Sequence, residues 1–129
     1  MVYVSGPMRG KPRFNFPAFF AEELRLRDKG VEDIYSPARV DMEQDHFDPD
    51  NPVSEPKPQE HYVERDVDAI MASETIGRLK GWRKSTGATA EDAVGTWLSR
   101  VKYDAPDPTP ELLARAEIEM QKIREGWDE

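Results

Sequence analysis

The spacing of apolar residues changes along the chain in a way that separates short strands from helices. Val2 to Ser5 is a β-rich run closed by Gly6-Pro7, the pattern of a buried strand delivered into a turn. Phe16, Phe20 and Leu24 then recur at i, i+4 and i+8, which predicts a first helix with Asn15 as N-cap, Pro17 in its first turn and Gly30 as its stop. The Phe14, Phe16, Phe19 and Phe20 group is expected in the core. Val31 to Tyr35 reads as a second strand ending at Ser36-Pro37.

Tyr62, Val63, Val67, Ile70 and Met71 keep helical spacing and predict a helix over 60–72, followed by a weak strand over 74–79. A third helix is predicted over 86–101, reached through Ser85-Thr86-Gly87, with Ala90, Val94, Trp97 and Leu98 on its inner face. The last helix opens with Thr109-Pro110-Glu111, a cap, a first-turn proline and an acid, and spans about 110–126 with Leu113, Ala116, Met120, Ile123 and Trp127 in its stripe. Strands alternating with helices imply an α/β fold, a mainly parallel sheet with helices on both faces, in which ligands sit at the carboxyl ends of the strands. A length of 129 residues suits a single domain over 1–129.

Charge adds a second layer. The formal net charge is −8, and residues 41–60 contribute −6 of it through seven acids against Lys57. The same stretch contains Pro49, Pro52, Pro56 and Pro58, so it reads as one long proline-broken acidic loop. The excess of acid argues against a nucleic-acid polymer as main partner, although a single nucleotide stays possible. The chain has no cysteine, which removes disulfides, thiolate metal sites and cysteine nucleophiles. Neither a signal-peptide core nor a run of about 20 apolar residues occurs, so the expectation is a soluble cytoplasmic protein with no membrane partner.

Candidate chemistry clusters at the expected strand ends. Ser5-Gly6-Pro7-Met8-Arg9-Gly10 follows the first strand, and Gly81-Trp82-Arg83-Lys84-Ser85-Thr86-Gly87-Ala88 follows the 74–79 strand. Each combines glycine with basic residues, and the second leads into a helix whose first N–H groups and dipole suit one phosphate. A solvated basic loop with a capping serine is the plainer alternative. Glu91 lies one turn into that helix and Asp66 sits on the preceding one, and two carboxyl groups flanking one site can divide glycosidic cleavage between nucleophile and acid. Against this, a glutamate near a helix N-terminus and an exposed helical aspartate are both ordinary. His46 among Asp45, Asp48 and Asp50 lacks EF-hand spacing and is not expected to hold a metal. His61 is expected at the surface or in packing, and Trp82 either stacks on a base or covers the core edge.

Taken in order, Tyr3-Val4-Ser5-Gly6-Pro7-Met8-Arg9-Gly10, Asn15-Phe16-Pro17-Ala18-Phe19, Arg65-Asp66 and Gly81-Trp82-x-x-Ser85-x-Gly87-Ala88-x-x-Glu91 resemble the nucleoside 2-deoxyribosyltransferase-like superfamily, and most of all its small phage and bacterial members. The resemblance spans roughly residues 2–98. It implies a flavodoxin-like (Rossmann-like) fold without metal or other cofactor. It also implies that Glu91 is a nucleophile forming a covalent deoxyribosyl intermediate, with Asp66 and Tyr3 assisting near the sugar and base. From the branch that hydrolyses 2'-deoxynucleoside 5'-monophosphates it implies 5'-phosphate binding by Ser85 and Arg9, with Gly6 and Gly87 allowing close backbone approach. Ser5, Gly10 and Trp82 complete the expected substrate contacts.

The leading expectation is therefore cleavage of the N-glycosidic bond of a 2'-deoxynucleoside 5'-monophosphate, by hydrolysis or base exchange, in a homodimer or larger homo-oligomer. A non-catalytic nucleotide-binding module of the same fold is the alternative. A third reading is an acidic interaction protein working through residues 41–60.

Overall fold

A computed structural model describes residues 1–52 and 57–128. The elements are β1 (Val2–Ser5), α1 (Phe16–Asp28), β2 (Ile34–Tyr35), α2 (Pro37–Asp45), α3 (Gln59–Ala72), β3 (Thr75–Arg78), α4 (Thr86–Trp97), β4 (Val101–Asp104) and α5 (Pro110–Gly126). The strands form one all-parallel sheet in the order β2-β1-β3-β4. This is a flavodoxin-like α/β fold, in which the order reverses between β1 and β3 and the loops leaving those two strands diverge to open a crevice.

Side-chain alternation along β1 divides the core in two. Val4 faces α1 and α5, joining Phe16, Phe19, Phe20, Leu24, Ala38, Met42, Ala116 and Met120 in the larger cluster. Tyr3 faces α3 and α4 and packs with Ala69, Ile70 and Ile76. The phenylalanine group is in the core as expected, with Phe14 partly buried edge-on to Phe47. Two glutamates of α1 are buried as well. Glu22 accepts from Arg25 and from the Tyr103 hydroxyl at 2.6 Å, and Glu23 accepts from Arg27 and Arg39, so neither charge is left unpaired.

Several boundaries differ from those expected. Residues 41–45 are not loop: they are the last turns of α2, a helix hidden from the sequence reading because Ser36-Pro37 looked like the end of a strand. Ser36 is in fact the residue before the helix, and Pro37 occupies its first turn, where a missing N–H costs nothing. Among the described residues the excursion is thus reduced to 46–52 and 57–58, and residues 53–56 of the expected loop lie outside the described residues. β2 is two residues long rather than five. Asn15 precedes α1 but adopts a left-handed conformation and makes no side-chain cap. α4 stops at Trp97 rather than at residue 101, with Ser99 at φ 57°, and the chain turns into β4, a strand the sequence reading did not anticipate. The inner face of α4 is accordingly Ala88, Val94, Gly95 and Leu98, whereas Ala90 is exposed and Trp97 is 88% exposed. α5 matches its expected span, and Thr109 caps it by accepting from the Leu112 N–H.

The acids of 41–50 are largely spoken for by arginines of the same chain. Asp41 and Asp45 pair with Arg65, Glu43 with Arg39, Asp48 with Arg124, and Asp50 with Arg13 and Arg124. Phe47 packs on Phe14 and Phe16, His46 stacks on Trp127, and the Trp127 indole N–H donates to the Met42 carbonyl. Residues 41–50 are thus a strapped-down segment whose acids are paired rather than free. Asp45 turns to Arg65 and His61 and His46 stacks on Trp127, while Asp48 and Asp50 share Arg124, so the four do not gather around one point. Among the described residues, no helix is long and apolar enough to cross a membrane.

Gly77 is required by packing: a Cβ there would lie only 2.3 Å from the Tyr103 hydroxyl, which is itself held by Glu22. Gly77→Ala should therefore destabilise by about 2 kcal/mol through overpacking, read as a lower urea midpoint at unchanged m-value.

Candidate active site

The crevice between β1 and β3 is where the expected residues converge. Tyr3 and Ser5, two apart on β1, point to the same face of the sheet. Glu91 reaches them from α4, because it shares that helix's inner side with Ala88 and Gly95. The Tyr3 hydroxyl donates to Glu91 Oε2 at 2.6 Å and Ser5 Oγ donates to Oε1 at 2.8 Å, so each carboxylate oxygen accepts one bond and keeps a lone pair. Asp66 comes from α3, on the face carrying Ala69 and Ile70, and the Glu91 charge acts on it there. These four residues were all named by the sequence reading, and the fold brings them together.

Burial raises the Glu91 carboxyl above its ordinary value, while the bonds from Tyr3, Ser5 and Asp66 pull it back. Asp66 has no comparable donors. Burial first, then the charges of Glu91 and Asp41, push it up to about 8. Burial and the adjacent carboxylates hold the Tyr3 phenol well above its usual range, so it remains a donor. The two carboxyl groups are thus set apart: the bonds from Tyr3, Ser5 and Asp66 favour the charged form of Glu91, whereas burial and neighbouring charge favour the neutral form of Asp66, the division that acid–base chemistry at a glycosidic bond uses.

The other expected residues form the rim. Arg9 and Gly10 are exposed, Gly10 in a left-handed turn at φ 77°, and Arg9 makes no ion pair with another described residue. Arg83, Lys84 and Lys11 are likewise unpaired among the described residues, so several cations are available there. Ser85 is the N-cap of α4 and its Oγ accepts from the Ala88 N–H at 3.2 Å. That is the capping role, and the hydroxyl proton is still free to be donated. Gly87 faces open space, whereas Gly6 is needed for packing, since a Cβ would meet Leu79 Cβ at 2.7 Å. The same close approach lets the Leu79 N–H reach the Ser5 carbonyl at 2.8 Å and fastens the two rim loops together. Trp82 is already engaged, with the guanidinium carbons of Arg78 and Arg83 at 4.5 and 4.8 Å from its ring centroid. Arg78 in turn pairs with Asp92 and Asp104.

Three residues near Glu91 carried no role in the sequence reading. Tyr35 stacks on Tyr3 with ring centroids 5.5 Å apart and an interplanar angle of 12°. Its hydroxyl is buried without a partner among the described residues, as are Ser36 Oγ and Arg65 Nε. Burial, then the Asp66 charge, raises Tyr35 to about 12. Arg65 holds Asp41 and Asp45. Tyr35 was detectable in principle, because it ends β2 as Ser5 ends β1, and in a parallel sheet both ends open on the same side. Asp41 was not, since its helix was read as loop.

Among families of known sequence, the one described as a domain of unknown function, DUF4406, matches residues 1–100. No curated protein and no solved structure matches the chain. The matched segment contains Tyr3, Ser5, Tyr35, Asp66 and Glu91, while β4 and α5 lie beyond it.

A carboxyl group that keeps its proton up to about pH 8 when folded, but loses it near pH 4 when unfolded, makes the native state bind more protons between those limits. Stability then falls as pH rises through that window, with a limiting slope of about 1.4 kcal/mol per pH unit for one proton. Asp66→Asn should flatten this decline, so that its stability relative to the parent improves steadily from pH 5 to pH 8 in urea titrations. Parallel pH profiles for the two proteins would contradict the assignment of a proton to Asp66.

Proposed function

The chain belongs to the DUF4406 family, and we propose that it cleaves the N-glycosidic bond of a 2'-deoxynucleoside 5'-monophosphate, as the nucleoside 2-deoxyribosyltransferase-like superfamily it resembles would lead one to expect. The observation that carries this reading is the pairing of Glu91, an oriented carboxylate under Tyr3 and Ser5, with a protonated Asp66. In the first step a Glu91 oxygen bonds to C1' while the C1'–N bond breaks, its electron pair going to the base nitrogen and the Asp66 proton to the base. In the second step water attacks C1', its proton passes to the Asp66 carboxylate, and Glu91 leaves as a carboxylate. A second base in place of water makes the same chemistry a transfer.

The monophosphate is favoured over a nucleoside by the rim. Arg83 and Lys84, unpaired among the described residues, directly precede the N-terminus of α4, where N–H groups and the helix dipole attract an anion, and Arg9, also unpaired among them, stands on the loop leaving β1. Trp82, already covered by two arginines, has no part as a base platform in this reading. A homodimer or larger assembly belongs to it as well, supported by Val63, Met71 and Trp97 standing exposed on α3 and α4.

Incubation with each of the four deoxynucleoside monophosphates should release free base from at least one of them. Glu91→Gln should lower that rate by at least about a thousandfold with little change in binding. Binding of a monophosphate with no release of any base would instead point to the non-catalytic module. Ser85→Ala and Arg9→Ala should each weaken monophosphate binding several-fold more than nucleoside binding, measured by calorimetry. Equal losses for the two ligands would remove their phosphate role.

A further inference from the structure

We propose that Arg65 is a positioning residue for this cleavage: Asp41 and Asp45, one turn apart on α2, hold its guanidinium off the Asp66–Glu91 pair, so that Asp66 retains the proton it gives to the departing base. The inference rests on the reading above and names a control on its acid.

Arg65 is the immediate neighbour of Asp66 on α3, yet its fork is turned to α2. One terminal nitrogen donates to Asp41 Oδ1 at 2.6 Å and to Asp45 Oδ2 at 3.0 Å, and the other lies 3.3 Å from Asp45 Oδ1. The guanidinium is rigid and planar, so engaging two carboxylates on one side prevents it from clamping a third on the other. α2 is well anchored for this task. Ala38 and Met42 are fully buried, and the Trp127 indole ties down the Met42 carbonyl. His61, one turn before Arg65, completes the arrangement by sitting 3.3 Å from Asp45 Oδ2.

The groups around Asp66 make the placement of this one cation decisive. Glu91 faces it from α4, Tyr3 from β1, Tyr35 from β2 and Asp41 from α2, and all of these are acidic or neutral. Arg65 is the cation that acts on Asp66, and it opposes the proton. A guanidinium paired directly with a carboxyl group lowers its pKa by about 1–3 units, enough to strip Asp66 of its proton at neutral pH. Asp45 absorbs that tendency: although burial works against it, the bonds from Arg65 and His61 hold it below the usual carboxylate range. A purely structural tie between α2 and α3 would use the same contacts but would leave the Asp66 proton indifferent to them.

Carboxyl-carbon NMR titration of the ligand-free protein separates these possibilities without relying on turnover. In Asp45→Asn the freed guanidinium should swing toward Asp66 and lower its midpoint by at least about one pH unit. In Arg65→Gln the midpoint should stay or rise, and Asp45→Asn/Arg65→Gln should return it to the parent value or above. The alkaline limb of the kcat profile should move with the midpoint while KM changes less. If Asp45→Asn does not fold, Asp45→Ser carries the same expectation; Asp41→Asn would not serve, because the Asp41 charge itself raises Asp66. An Asp66 midpoint unmoved in the folded Asp45 variant, or lowered equally in Arg65→Gln, overturns the proposal. Movement of the midpoint as expected in a parent that releases no base would uphold the charge placement and sink the cleavage reading.

Discussion

A central strand buried on both faces must send every second side chain to each side, and that alternation on β1 is what makes a site here at all. Val4 goes to the apolar layer under α1 and α5, which obliges Tyr3 and Ser5 to go the other way, into the space below α3 and α4. Two hydroxyls in an otherwise apolar layer need acceptors, because burying them unpaired would cost on the order of 1–3 kcal/mol each. Glu91 is that acceptor. The bonds that satisfy the strand's hydroxyls and the bonds that orient the carboxylate are the same bonds, so folding and site geometry are not separable at this point.

The distribution of charge follows a related economy. Most acids between residues 41 and 50 are matched by arginines drawn from the turn before α1, from α2, α3 and α5, and the match immobilises the stretch instead of leaving it to repel ligands. Four of the cations without an ion pair among the described residues, Arg9, Lys11, Arg83 and Lys84, stand on the loops leaving β1 and β3. Net charge is thus a poor guide to what approaches the crevice, since what an incoming anion meets is the local rim rather than the sum over the molecule.

Much of this was legible in the sequence because the signals were local. The helical spacing of Phe16, Phe20 and Leu24, the Thr109-Pro110 start of α5 and the strand-then-glycine pattern after Val4 all depend on neighbours a few residues apart. What was missed depends on tertiary partners. β4 was missed because the helical pattern was carried on to Val101, past the left-handed turn at Ser99 that separates the two elements. α2 was lost because its acids looked solvated, whereas their partners Arg39 and Arg65 lie in helices whose packing the sequence does not announce. Within the site, Glu91, Asp66, Tyr3 and Ser5 were found through an ordered motif. Tyr35 was passed over although its place at the end of β2 could have flagged it, and Asp41 was not legible because its helix was read as loop.

The parallel pairing of β1 with β3 has a kinetic consequence. Val2 is registered with Thr75 and Ser5 with Arg78, so the two strands that flank the crevice meet only after more than half the chain has been brought round. Closing so long a loop consumes entropy before any contact compensates it, which makes such sheets slow to nucleate compared with folds built from sequence-local contacts. Glu91 reaches Tyr3 across a comparable separation. No early fragment of the chain, however helical, can hold a partly formed version of this site. The Glu91 carboxyl group therefore meets its hydroxyls only when the sheet that carries them closes.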